Sequence, residues 1–102
     1  MPRKFESYRL SRRAEGDLAD IYGYTVTNWS VQQADRYVTD IHEALEGLVA
    51  GTSIGRKRAE IAAAYLCYGV GSHVIFYRET EHILVARILH ASMDLPQHLP
   101  PN

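Results

Sequence analysis

The stretch Gly71–His90, GSHVIFYRETEHILVARILH, decides the fold. His73-Val74-Ile75-Phe76-Tyr77 is dense in β-branched and aromatic residues, and Ile83-Leu84-Val85-Ala86-Arg87-Ile88-Leu89 is a second apolar run. Both have the length and composition of strands. The polar Glu79-Thr80-Glu81 between them is too short for a parallel crossover, so the pair is expected to be antiparallel. The second run is apolar on both parities apart from Arg87, the mark of a strand covered on both faces. This hairpin is therefore taken as the centre of a sheet.

Working outward, Glu6-Ser7-Tyr8-Arg9-Leu10 can alternate and reads as a short strand. Ser11 follows as an N-cap, and Ala14, Leu18, Ile21 and Thr25 recur at helical spacing. Glu15, Asp17 and Asp20 lie in the opening turns, where the helix dipole favours negative charge. These features predict a helix over 12–28. Ser30-Val31-Gln32-Gln33 is a capping-box pattern opening a second helix. Its stripe is Ala34, Val38, Ile41, Leu45 and Leu48, and Gly51 is its expected C-cap. The short link at Asn28-Trp29 makes the helices an antiparallel pair.

Thr52 to Glu60 reads as a polar loop and Ile61 to Tyr68 as a third strand, with Gly69-Val70-Gly71-Ser72 turning into the hairpin. Pro96, Pro100 and Pro101 rule out a long helix or inner strand in the tail, 91–102. The order is β-α-α-β-β-β. The fold class is α+β: an N-terminal strand, an antiparallel helical hairpin, then three antiparallel strands, in a single domain spanning 1–102 with a core over about 6–95.

Two helices cover one sheet face, yet the hairpin presents apolar side chains to both. Val74 and Phe76 oppose Ile75 and Tyr77; on the second strand, Ile83, Val85 and Leu89 oppose Leu84, Ala86 and Ile88. An exposed apolar face marks a protein partner. The plainer alternative is that loops, aromatic packing and the tail cover it. Leu18, Ile21, Tyr22, Val38, Phe76 and Val85 are the candidates for such a partner surface.

Charge is unevenly distributed. Residues 1–13 carry net +4, residues 14–50 net −6 and residues 51–102 net +1, for a total of −1. This is not a uniformly basic nucleic-acid binder, and no direct sequence-specific nucleic-acid contact is expected. The N-terminus lacks the apolar core of a signal peptide, and no run of about 18 apolar residues could span a membrane. The single Cys67 cannot form an internal disulfide, so a cytoplasmic chain with an inert buried thiol is expected.

Several residues carry the resemblance to a known family. Leu10-Ser11 with Ala14, Asp17-Leu18, Ile21 and Trp29 resembles the first helix of ParE-type toxins of bacterial toxin–antitoxin pairs. Gln33-Ala34 with Tyr37 resembles the second. Ile54-Gly55-Arg56, Glu60-Ile61, Gly71-Ser72-His73, Phe76-Tyr77-Arg78 and Arg87-Ile88-Leu89-His90 with Met93-Asp94 follow in order, so that the likeness covers roughly 8–95. The resemblance implies the RelE/ParE fold and inhibition of DNA gyrase by binding. It also implies a ParD-type antitoxin as partner, in a toxin–antitoxin hetero-oligomer whose antitoxin would cover the sheet. His90, Met93, Asp94 and Leu95 are the residues expected to meet the target. The chain departs from the family pattern at Leu66, where an arginine is common, and at Ala62-Ala63-Ala64.

The same superfamily includes RelE-type ribosome-dependent mRNA endonucleases, which form one rival reading; a non-toxic member that only binds its antitoxin is the other. Cleavage through a 2′-hydroxyl needs a base, an acid and cations. Here Tyr65-Leu66-Cys67-Tyr68 holds no cation, and only Arg87 and His90 could serve. Arg87 within an apolar strand reads first as a buried ion pair with an acid on a helix or with Glu79. His90 either orders the tail by hydrogen bonding or touches the target. His73, His82 and His90 with Cys67 lack metal-ligand spacing, and no metal or cofactor is expected. Arg56-Lys57-Arg58 reads as a solvated turn. Tyr65, Tyr68 and Tyr77 read as packing residues, and Tyr22, Tyr24 and Trp29 as the seam between helices and sheet.

Overall fold

The computed structural model describes residues 3–58 and 64–93. Its order is β1 (Tyr8–Leu10), α1 (Arg12–Asn28), α2 (Val31–Ala50), β2 (Arg56–Lys57), β3 (Leu66–Val70), β4 (His73–Glu79) and β5 (Ile83–His90). The helix limits follow from their caps. Ser11 Oγ accepts from Ala14 N–H at 3.0 Å and Ser30 Oγ from Gln33 N–H at 3.0 Å. Gly51 closes α2 in the left-handed conformation at φ 86°, its N–H donating to Gly47 O. That conformation costs glycine no Cβ clash.

The sheet runs β1-β5-β4-β3-β2, so the β4–β5 hairpin does lie at its centre. β1 pairs parallel with β5, and the other pairs are antiparallel. Three expectations change. The third strand is Leu66–Val70, so Gly69 and Val70 are strand and the turn tightens to Gly71-Ser72; 59–63 lie outside the described residues. Arg56-Lys57 leaves the expected loop to form the edge strand β2, pairing with Cys67 and Leu66. Two residues are too few to leave an alternation signal.

The third change is a register shift in β5. Phe76 pairs with Arg87 but Tyr77 pairs with Val85, so Ala86 is an extra residue, a β-bulge. Strict alternation from Ile83 and Val85 would put Arg87 in the layer beneath the helices. The bulge puts Ile88 there instead and sends Leu89 to the opposite face, reversing the expected placing of these two. α1 supports the bulge: Ser11 Oγ donates to Ala86 O at 2.7 Å.

Between helices and sheet lies the main core, built on Ile21, Ile41, Leu45, Val49, Ile75, Tyr77, Ile83, Val85 and Ile88. The helix-free face is not an open apolar sheet. Phe76, Tyr65, Cys67 and Leu89 form a second buried cluster there, with Ala64, Val74 and Ala86 against it. The plainer reading, self-coverage by aromatic packing, holds for this part of the sheet.

Candidate functional site

Arg87 is the first residue to place. Its Nε and Nη2 each donate to the Asp17 carboxylate at 2.8 Å, a bidentate pair, and Ile88 N–H donates to Asp17 Oδ2 at 2.9 Å. Side-chain exposure is only 14% for Arg87 and 11% for Asp17. Hydrogen bonding to Asp17 raises the arginine pKa further above its high ordinary value, against the opposing effect of burial. The acid on a helix expected from the sequence is therefore Asp17, on α1.

At the end of β5, His90 is exposed, and its Nδ1 accepts from Ser92 N–H at 3.1 Å with Ser92 Oγ at 2.7 Å. Accepting a backbone N–H at Nδ1 leaves the neutral ring's proton on Nε2. The His90 ring meets His73 edge-on, with centroids 5.2 Å apart. His73 Nδ1 lies 2.6 Å from the Tyr37 hydroxyl, which also donates to Val70 O and accepts from Ser72 N–H. Tyr37 thus pins the β3–β4 turn to α2. The fit is close: Gly71 has φ 57°, and a Cβ there would come within 2.6 Å of the Tyr37 ring.

Burial pushes the His73 pKa below its ordinary value, helped by the neighbouring His90 and opposed by Asp17. A depressed histidine pKa means the unfolded chain binds the proton more readily. Its stabilising contribution is present above the ordinary pKa and is lost as pH falls through the depressed folded one. Acidification from about pH 7.5 to about pH 5 should therefore lower the Tm of the wild type more than that of His73→Gln, measured by circular dichroism.

Beside these histidines lies the exposed apolar surface that the sheet face does not supply. Trp29 is 73% and Tyr24 67% exposed, with Val31 next along the chain. They are not the helix–sheet seam. Tyr24 shares a cleft of about 340 Å³ with Asp20, His73, His90 and Met93, and a neighbouring cleft adds Trp29, Gln33 and Tyr37. Of the expected target-contact residues, His90 and Met93 therefore meet at the mouth of this aromatic patch; Asp94 and Leu95 lie outside the described residues. Tyr24 and Trp29 escape a sequence reading because aromatic residues near a helical stripe read first as core.

The expected partner residues divide by burial. Ile21 and Val85 belong to the main core and Phe76 to the second cluster, so none of the three offers a free surface in the folded chain. Leu18, Tyr22 and Val38 remain half-exposed. Tyr22 Oη donates to Asp35 at 2.8 Å, which sets the register of the antiparallel helices. Leu18, one turn before Tyr22, comes level with Val38, about one turn after Asp35. Cys67 is buried on the far face, and His82 Nδ1 bonds Ser7 Oγ at 2.8 Å at the β4–β5 turn. The hypothetical quartet of three histidines and Cys67 is thus not brought together.

A helical hairpin on one face of a mixed five-stranded sheet, with its basic end, acidic helices and exposed aromatic patch, defines a small α+β domain of the RelE/ParE type. Comparison with known proteins narrows this to one family. Residues 8–95 match the family described as ParE toxin of type II toxin-antitoxin system, parDE, and the chain belongs to it. Toxin ParE1 of Caulobacter vibrioides is 38% identical over 92 residues, covering 90% of this chain and 96% of that one. Toxin ParE of Escherichia coli is 33% identical over 95 residues, covering 91% and 92%. A chain from the solved chromosomal ParDE TA system of P. aeruginosa superposes with a TM-score of 0.70 at 25% identity, covering 82% of this chain and 94% of that one. Among the described residues, no helix is long and apolar enough to cross a membrane.

Proposed function

We propose that this toxin acts in the cytoplasm by binding DNA gyrase, and that a ParD-type antitoxin neutralises it in a hetero-oligomer. The observation carrying the binding mode is the exposed patch of Trp29, Tyr24, His90 and Met93 at one end of the sheet. Large aromatic residues and methionine are the side chains that anchor protein interfaces. Asp94 and Leu95, which lie outside the described residues, are kept as target-contact candidates. Leu18, Tyr22 and Val38 on the helical hairpin are assigned to the antitoxin.

A nuclease mechanism has less support. Arg87 is committed to Asp17, and β3 carries no cation to stabilise a phosphorane. His90 alone does not supply both an acid and a base.

The test uses purified chain, DNA gyrase and plasmid DNA. Loss of supercoiling with trapped, cleaved DNA, reversed by antitoxin, is the expected result. No effect at a large excess of folded chain would overturn the gyrase reading. Within the same assay, Trp29→Ala or Met93→Ala should weaken inhibition by about tenfold at unchanged Tm.

A further inference from the structure

The β4–β5 turn carries a side-chain cluster that the proposed function does not use. Glu6 lies in the bend ahead of β1, and Glu81 and His82 lie in the turn itself. A carboxylate oxygen of each glutamate and a ring nitrogen of His82 all lie within 4.8 Å of one another. The backbone brings them together. Glu6 N–H donates to Glu81 O at 2.9 Å and Ile83 N–H to Ser7 O at 2.9 Å, which extends the parallel β1–β5 pairing into the turn. Within the turn, Thr80 N–H donates to His82 O at 2.9 Å and His82 N–H to Thr80 Oγ1 at 3.1 Å.

The imidazole is the most telling member. Its side chain is only 15% exposed, against 70% for Glu6. Ser7 Oγ lies 2.8 Å from Nδ1, and when the hydroxyl accepts from Nδ1–H the ring's lone pair sits on Nε2. Nε2 is the nitrogen that faces Glu6 Oε2, at 3.5 Å. That separation is too long for a good hydrogen bond. It matches two ligands on one tetrahedral cation, about 3.4 Å apart for bonds of about 2.1 Å. An acceptor on the far ring nitrogen is the usual support of a metal-bound histidine.

Folding alone does not account for the second carboxylate, because Glu6 and Glu81 repel each other at this distance. Among the described residues, neither pairs with a lysine or arginine. Arg3, which shares their cleft, is committed to Glu46, and Lys4 lies over the Phe5 ring.

We infer that Glu6, Glu81 and His82 form a binding site for a divalent transition cation of the zinc type, which clips the segment ahead of β1 to the β4–β5 turn. One imidazole with two carboxylates is a donor set for such ions, whereas magnesium and calcium favour oxygen alone. Three protein ligands leave the outer position to water. The cation neutralises the paired carboxylates and ties residue 6 to residues 81 and 82 at the edge of the sheet. Local sequence hides the site, because Glu6 and Glu81-His82 meet only through the β1–β5 pairing. The inference does not depend on the gyrase reading.

The test uses the full chain without an affinity tag, stripped with a chelator and titrated calorimetrically with zinc chloride. One zinc should bind per chain, and magnesium should bind about tenfold or more weakly. His82→Gln and Glu6→Gln should each lower zinc affinity by about tenfold or more, and Ser7→Ala, which frees the ring to turn, by about tenfold. His73→Gln should bind as the wild type does, which separates this site from the His73–His90 ring pair. The unfolded chain scatters the three ligands, so saturating zinc should raise the wild-type Tm by about 5 °C or more and leave that of His82→Gln in place. Glu6→Gln, at an exposed position, keeps the comparison valid even where His82→Gln fails to fold. No binding at millimolar zinc, unchanged affinity in folded His82→Gln or Glu6→Gln, or affinity lost in His73→Gln would overturn the site. A wild-type Tm that zinc leaves unchanged would overturn the clip.

Discussion

Asp17→Ala should destabilise the chain by about 3 kcal/mol, near the low end for a broken buried ion pair because both side chains keep a little water contact. The loss has two sources. The Arg87 guanidinium is left in a dry site without its carboxylate, and Ile88 N–H loses its acceptor. A domain of this size has roughly 5–15 kcal/mol in total, so the change is large. In thermal unfolding it should appear as a Tm lower by about 12 °C or more. Asp17→Leu combined with Arg87→Met removes both charges and should recover most of the loss, since a buried pair is often matched by apolar packing of similar volume.

The double variant also separates structure from function. Under the gyrase proposal, if Arg87 only holds α1 against the bulged strand, the refolded double variant should inhibit gyrase as well as the wild type does. If inhibition vanishes while Tm is restored, Arg87 touches the target and the structural assignment is wrong. A single Asp17→Ala that costs under about 1 kcal/mol would also overturn the structural assignment, because an exposed pair is worth no more than that.

How far the sequence can be read follows from where each feature gets its signal. Both helices are legible to the residue at their N-termini because Ser11 and Ser30 announce themselves locally, by a hydroxyl placed three residues before the amide it caps. The hairpin is legible because its two runs are long. The bulge at Ala86 is not, since every residue from Ile83 to Leu89 except Arg87 is apolar and a slip of one leaves no mark in such a run. That single slip exchanges the faces of Ile88 and Leu89. Arg87 announces a buried partner by standing among apolar neighbours, but Asp17 looks like any acid in an opening helical turn. The cleft that Arg9, Arg12, Arg13, Arg78 and Tyr65 line together is half visible: the +4 of residues 1–13 is in the sequence, but its meeting with Arg78 and Tyr65 depends on β1 lying next to β5, a long-range parallel pairing that no local pattern encodes. Val85 and Phe76 are legible as strand residues and both are expected on a partner surface, but that they lie in opposite layers follows from the register, which the sequence leaves open. That the second face stays dry without a partner depends on Tyr65 folding in beside Phe76, which spacing does not specify.

Phe76 offers the sharpest test of that second face. The ring is fully buried, closed in by Tyr65, Cys67 and Leu89 and flanked across the strands by Cys67 and Arg87. Phe76→Ala should therefore cost the isolated chain about 3–5 kcal/mol, the transfer energy of the ring plus the cavity left behind. Urea unfolding of the chain alone, with no partner present, measures it as a lower midpoint at unchanged slope. Phe76→Leu, which keeps most of the volume, should cost about 1–1.5 kcal/mol. The partner-covered alternative makes the opposite forecast. A ring dried only by the antitoxin would be exposed in the free chain, its loss there would cost under about 0.5 kcal/mol, and the penalty would appear in antitoxin affinity instead. The two outcomes differ several-fold in one measurement. They decide whether this face is a preformed, self-supported surface in the free chain or a core left open for a partner to complete.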